Sequence, residues 1–205
     1  MSRCSNEYEN EFWPENKYIL GIDEAGRGPL AGPLTVAGVI LPIGYDNEDI
    51  YDSKAISHKK REALYDLIIQ DAIWYDIVQV SPEDIDRYDI YHADQRVMED
   101  IANRAKCDVV LVDAMPINIE GKIVFNPTKG DQKSINIAAA SILAKVSRDR
   151  IMAEYDEIYP GYGFKNNKGY PTKAHMEAIE EIGITPIHRK SFAPVRNAYI
   201  KQKLF

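Results

Sequence analysis

Y-I-L-G-I-D-E-A-G-R-G-P-L-A-G-P, residues Tyr18 to Pro33, passes from an apolar run through two adjacent carboxylates into a glycine-rich turn that carries one arginine. Ile19, Leu20 and Ile22 have the character of a buried strand, and the glycines and prolines beyond them stop it, so a strand is predicted to end at Asp23 and Glu24. Successive strand side chains point to opposite faces, so both acids serve one site only if the backbone bends there. Gly26 and Gly28 allow such a bend. Arg27 between two glycines lets backbone N–H groups and a guanidinium approach a phosphate together, whereas an Asp-Glu pair without that turn is an ordinary solvated strand end. Two other readings of the glycines fail. No Lys-Ser or Lys-Thr follows as a triphosphate-binding loop requires, and Pro29 and Pro33 bracket a segment that leads into another apolar run rather than a helix, against a dinucleotide fingerprint.

Working outward, the 205 residues are 45% hydrophobic, enough for a sizeable core in one domain or one domain with a tail. Cys4 and Cys107 make neither a disulfide framework nor a C-x-x-C metal knuckle. No apolar stretch approaches the ~18 residues of a membrane span, and the acidic first residues lack a signal core, so no membrane partner is expected and the cytoplasm is the expected location. The net charge of -7 is unevenly spread, -13 over residues 1–121 and +6 over residues 122–205, which makes the C-terminal part the candidate phosphate-binding side.

Pattern predicts a second strand over Thr35 to Leu41, then a polar loop with Asp52-Ser53-Lys54 and a helix over Lys59 to Gln70 capped by Ser57. A third strand is predicted over Ile73 to Val80 and one helix from Glu83 to about Ala105, opened by Ser81 and Pro82. Val109 to Val112 followed by Asp113 repeats the pattern of Ile19 to Asp23. Reached through a long helix, this strand is expected to run parallel to the first, placing Asp23 and Asp113 side by side at the carboxyl edge of the sheet. Like charges at that spacing call for a cation, so the pair predicts a metal. Lys122 to Asn126 reads as a short strand, and Lys129-Gly130-Asp131 leads into a long helix over Ile135 to Tyr159. Ser141, Lys145 and Arg148 share one face of it, solvated in most proteins but suited to backbone phosphate beside a carboxylate cluster. From Gly161 to Thr172 a loop mixes aromatics with bases, including Lys168 and Tyr170, a composition that stacks on sugars and bases. Helices over Thr172 to Ile182 and Ser191 to about Lys203 close the chain.

Laid out in this order, the chain resembles type 2 ribonuclease H, ribonuclease HII. The likeness runs from about Tyr18 to Val195 through D-E-A-G-R-G-P-L-A-G-P, D-S-K, L-V-D, G-D, I-A-A-A-S-I-L-A-K-V-S-R-D-R, Y-P-G-Y-G-F, K-G-Y-P-T-K-A-H and H-R-K-S-F-A-P. The type 3 branch looks different at the glycine turn. Departures are Ala55-Ile56 where Lys-Leu is common, Ala114 where Gly is usual, and Asn136 before Ile137. The resemblance implies an α/β fold of the ribonuclease H-like kind: a mixed sheet flanked by helices, with a C-terminal helical extension. It divides the chain into an acidic segment 1–17, a catalytic core 18–159 and a C-terminal part 160–205. It implies that Asp23, Glu24, Asp113 and Asp131 are catalytic and hold two Mg²⁺ or Mn²⁺ ions. Gly26, Arg27 and Gly28 would contact the ribose 2′-hydroxyl and its phosphate, Tyr170 the sugar, with Ser53 and Lys54 in the substrate-binding set. The implied partners are RNA–DNA hybrid and DNA duplex containing ribonucleotides, cut by a monomer. A non-catalytic nucleic-acid-binding protein on the same fold is the alternative. A sliding-clamp contact through Lys201 to Phe205 is weaker than a tail folded on the core.

Overall fold

The structure, a computed structural model, describes residues 4 to 203. Five strands form one mixed sheet in the order β3-β2-β1-β4-β5, where β1 is Ile19–Ala25, β2 Leu34–Ile40, β3 Trp74–Val80, β4 Val109–Val112 and β5 Ile123–Phe125. No helix among the described residues is long and apolar enough to cross a membrane. The residues gather into two compact units, each drawn from three separate stretches: residues 1–25, 36–78 and 94–146 make the first, and residues 26–35, 79–93 and 147–205 the second.

In the first unit, β1 and β4 are parallel with Ile19 opposite Val109 and Ile22 opposite Val112, and β4 continues parallel to β5. Every residue of β4 is buried, as a strand covered on both faces should be. The core packs Ala37, Val39 and Leu41 against Leu64 and Ile68 of helix α2 (His58–Asp71) and the Ala138 to Ala140 run of the 24-residue helix Ile135–Ile158. Gly21 explains how that helix comes so close: a Cβ there would stand 2.2 Å from the main-chain carbon of Asn136. Helix α1 (Glu7–Phe12) docks on the same unit, with Tyr8 and Phe12 packed against Ile19, Val109, Leu111 and Ile137. Its Glu9 is fully buried and Oε1 accepts from the Ser134 hydroxyl at 2.6 Å and Asn136 Nδ2 at 2.9 Å.

The single helix expected over Glu83 to Ala105 is two, α3 (Pro82–Tyr88) and α4 (Ile90–Arg104). Asp89 between them sits at φ 61°, and its Oδ1 accepts from the Tyr91 and His92 amides at 2.9 and 3.0 Å, so the side chain opens a new helix where the pattern reads as continuous. Next in chain order come α5 (Gly130–Lys133), α6 (the Ile135–Ile158 helix), α7 (Phe164–Asn167), α8 (Lys173–Ile182) and α9 (Ala193–Lys203). In the second unit Leu30 and Ala31 pack with Met152, Phe164, Ile179 and Val195.

Candidate active site

Asp23 and Asp113 are set by strand register. Asp113 N–H donates to Ile22 O at 3.2 Å, continuing the β1–β4 ladder one step past Val112, so the two acids follow the last paired residues of parallel neighbours. The strand predicted to end at Asp23 and Glu24 runs one residue further, to Ala25, without the bend the sequence suggested between the two acids, so Asp23 and Glu24 alternate across it. Asp23 is buried at 8% exposure, and its Oδ1 accepts from the Glu24 amide at 2.7 Å. Burial first, then the charges of Glu24, Asp113 and Asp131, hold its carboxyl well above the ordinary carboxylate range.

Asp113 turns Oδ1 toward the chain after β5, accepting from Gly130 N–H at 2.8 Å. Gly130 opens the short α5, so this bond ties β4 to the segment that carries Asp131. Asp131 is half-buried; burial and then the charges of Asp52 and Asp113 raise it, while Lys54 lowers it. The D-S-K loop thus lies within electrostatic reach of Asp131, and Asp52 is a neighbour that its motif did not single out. Lys54 is exposed, whereas Ser53 is buried at 6% and its carbonyl accepts from Arg61 Nε at 2.9 Å.

All four carboxylates therefore belong to one electrostatic neighbourhood in the first unit. Among the described residues no three of His, Cys, Asp and Glu stand in ligating reach of a single ion. The chemistry of the set still fits a hard divalent cation, being all oxygen donors, with Asp23 and Asp131 both driven up by burial and then by neighbouring negative charge.

The other candidate residues lie apart from that set in kind. Ser141 is buried at 4% and its hydroxyl donates to Ala138 O at 2.9 Å, so it makes no solvent-facing phosphate contact. Arg148 is buried at 1%, with Nε on Pro33 O at 2.9 Å, Nη1 on Lys168 O at 3.0 Å and Nη2 on Ala31 O at 3.1 Å. The expected phosphate stripe along α6 is corrected accordingly: Ser141 and Arg148 are internal, and of the three only Lys145 is part-exposed. Lys168 is half-buried in the left-handed region at φ 53°, with Nζ 3.4 Å from Asp149 O.

In the second unit the turn is sharp at Gly26, φ 103°, and Gly28 is exposed; a Cβ on Gly28 would meet only Tyr170 Cε1, at 3.5 Å. Tyr170 itself is 45% exposed, so an open backbone and an aromatic face adjoin there. Sequence reasoning passed over Arg189, which is fully buried and bonds the Gly26, Arg27 and Gly32 carbonyls; an arginine in a basic H-R-K run reads as a surface residue.

Comparison with known proteins adds the family context. The family model described as Ribonuclease HII matches residues 20–195. A ribonuclease HII of Acholeplasma laidlawii is 51% identical over 180 residues, 87% of this chain and 88% of that protein. The crystal structure of the ribonuclease H2 from Pyrococcus horikoshii aligns with TM-score 0.78 at 25% identity, covering 91% of this chain and 99% of the other. The ribonuclease HII solved in complex with PCNA from Archaeoglobus fulgidus aligns with TM-score 0.71 at 30% identity, covering 84% and 93%.

Proposed function

The chain belongs to the ribonuclease HII family and is a type 2 ribonuclease H, and from that premise we propose what it cuts and how. It hydrolyses the RNA strand of RNA–DNA hybrids in the cytoplasm. It also cuts duplex DNA on the 5′ side of an embedded ribonucleotide, leaving 5′-phosphate and 3′-hydroxyl ends. The observation that carries this reading is the placement of Asp23 and Asp113 at the ends of parallel neighbours β1 and β4, with Asp23 under the combined charge of Glu24, Asp113 and Asp131.

Asp23, Glu24, Asp113 and Asp131 would hold two divalent ions, Mg²⁺ or Mn²⁺. When bound, such a pair supplies an activated water and neutralises charge on the leaving oxygen. The protein's own part is positional. The Glu24 amide holds one oxygen of Asp23, and the Gly130 amide holds one oxygen of Asp113, fixing both carboxylates before substrate arrives. Lys54 sets positive charge near Asp131, suited to a scissile-strand phosphate. Gly28 and Tyr170 offer a flat, open surface to the sugar, and the 2′-hydroxyl is the only group that separates ribose from deoxyribose there. The ribonuclease HII of Archaeoglobus fulgidus was solved in complex with PCNA. Leu204 and Phe205, the residues weighed for such a contact in this chain, lie outside the described residues.

The test is a duplex carrying one ribonucleotide, incubated with Mg²⁺, with Mn²⁺ or with EDTA, and its product ends mapped. The expected result is one nick 5′ to the ribonucleotide with either ion, none in EDTA, and none in all-DNA duplex. Equal cutting of the all-DNA duplex, or nicking in EDTA, contradicts the reading.

A further inference from the structure

Two buried arginines grip the main chain of the Gly26 to Pro33 turn. Arg189 places Nη2 on Gly26 O at 2.7 Å, Nη1 on Arg27 O at 3.0 Å and Nε on Gly32 O at 3.0 Å. Arg148 takes Pro33 O and Ala31 O further along the same turn. The clasp is completed by main-chain bonds, from Arg189 N–H to Leu30 O at 2.8 Å and from Gly32 N–H to Ile187 O at 2.9 Å. A guanidinium is a planar fork of fixed donors, so three carbonyls bonded to one fork have their peptide planes fixed.

That orientation has a consequence for the opposite edge of each plane. There is no cis peptide among the described residues, and in a trans peptide the C=O and the N–H of the next residue point in opposite directions. With the Gly26 and Arg27 carbonyls drawn inward onto Arg189, the N–H groups of Arg27 and Gly28 point away from it, side by side. A cation behind the carbonyl ends reinforces the positive ends of both dipoles, as in backbone anion nests. The conformation also needs glycine: Gly26 is at φ 103°, where a Cβ would stand 2.1 Å from Arg148 Nε. Burial and the nearby Arg148 charge push Arg189 down to about 9, so it stays charged at neutral pH.

We infer that Arg189 is a positioning residue for ribonucleotide recognition: it aims the Arg27 and Gly28 amides outward as a paired donor for the ribose 2′-oxygen and its adjoining phosphate. This rests on the proposed reading of the Gly26-Arg27-Gly28 turn as the ribose contact, and adds what orients it. Arg189 touches no substrate; it acts through two peptide planes. Lysine at this position keeps the charge but, as a single ammonium, cannot hold the same fork of carbonyls.

The experiment compares, in Mg²⁺, the KM for a duplex with one ribonucleotide and the Ki of the all-DNA duplex as competitor. In Arg189→Lys the KM is expected to rise about tenfold toward the Ki, which stays at its wild-type value, the size expected for losing a well-aimed hydrogen bond. Tyr162→Phe, which removes a buried hydroxyl bond to Gly183 O (2.7 Å) in the same unit, is expected to lower stability and leave the Ki-to-KM ratio unchanged. A wild-type ratio in Arg189→Lys, or an equal fall in Tyr162→Phe, overturns the inference. Should Arg189→Lys not fold, amide NMR of the wild type decides. The Arg27 and Gly28 amide signals are expected to move with the ribonucleotide duplex and not with all-DNA; still signals overturn the inference. A wild-type enzyme with no preference for the ribonucleotide duplex overturns instead the reading on which it rests.

Discussion

Asp23 works against the fold that carries it. Because burial and three nearby carboxylates raise its folded-state pKa, its contribution to stability is present only at low pH and is lost as pH rises through that pKa. At neutral pH and without divalent ions, Asp23→Asn is therefore expected to unfold at the same or a higher temperature than the wild type. Asparagine keeps an oxygen for the Glu24 amide and loses only the charge. Adding Mn²⁺ should raise the wild-type melting temperature and move the variant less, by ligand linkage. A variant that melts well below the wild type without metal contradicts this account. One residue past Asp113, Ala114 takes φ 51°, a conformation that costs a residue with a Cβ about 1–2 kcal/mol and glycine far less. Ala114→Gly should stabilise by roughly 0.5–1 kcal/mol after glycine's own entropy is counted. Denaturant unfolding measures it, and a loss of stability would mean that the turn is not strained.

Helix α1 illustrates what pattern alone cannot supply. Its sequence reads only as acidic, yet Glu9 is fully buried, gripping Ser134 and Asn136 across more than 120 residues of chain. No periodicity encodes such a bond. Asn136 also accepts from the Leu41 amide at 2.8 Å, so it sits at the centre of a buried polar network. Removing the carboxylate leaves the Ser134 hydroxyl and the Asn136 amide without that acceptor, at about 1–3 kcal/mol for each buried donor stranded. Glu9→Ala is expected to lower stability by roughly 2–6 kcal/mol in denaturant unfolding, and a change under 1 kcal/mol would show the network to be dispensable. By contrast β1, β4 and their parallel register were legible, because a fully apolar run ending in an acid occurs twice and each run has a single plausible place. The break at Asp89 was not, since it depends on one side chain bonding two local amides.

The α8 region carries a second element-scale device. His175 Nε2 lies 3.1 Å from His188 Nε2, His175 Nδ1 lies 2.9 Å from Tyr170 O, and His188 Nδ1 accepts from the Thr185 amide at 2.9 Å. Those partners assign the tautomers: His188 donates through Nε2 to His175, which donates through Nδ1 to Tyr170 O. Both rings are neutral in this arrangement. Burial, then the His175 charge, pushes His188 down to about 4. A lowered folded-state pKa means stability is full above the unfolded value near 6.5 and drains away as pH falls toward about 4, by up to roughly 3 kcal/mol. His188→Gln should flatten this part of the stability–pH curve relative to the wild type. Parallel curves for the two proteins between pH 6.5 and 4 would contradict the assignment.

At the scale of the molecule, a chain of net charge -7 is assigned a polyanionic substrate, and the reconciliation lies in where charge is used. Composition correctly set the basic excess in residues 122–205, but Arg148 and Arg189 spend theirs on buried carbonyls, so sequence counting overstates the charge offered to phosphate. The acidic excess of residues 1–121, in turn, includes Asp23, Glu24 and Asp113, three of the four carboxylates for which a cation is the natural counter-charge. That metal-dependent role of the carboxylates is the central claim. It is tested most directly by Asp113→Asn on a duplex with one ribonucleotide, with cleavage and binding measured on one preparation in Mg²⁺ or Mn²⁺. Asparagine can still accept from the Gly130 amide, so the turn that carries Asp131 stays in place. Wild-type folding and retained duplex binding are expected, with cleavage reduced at least a thousandfold, roughly the 4 kcal/mol expected of lost charge stabilisation. Wild-type turnover by the folded variant would contradict it.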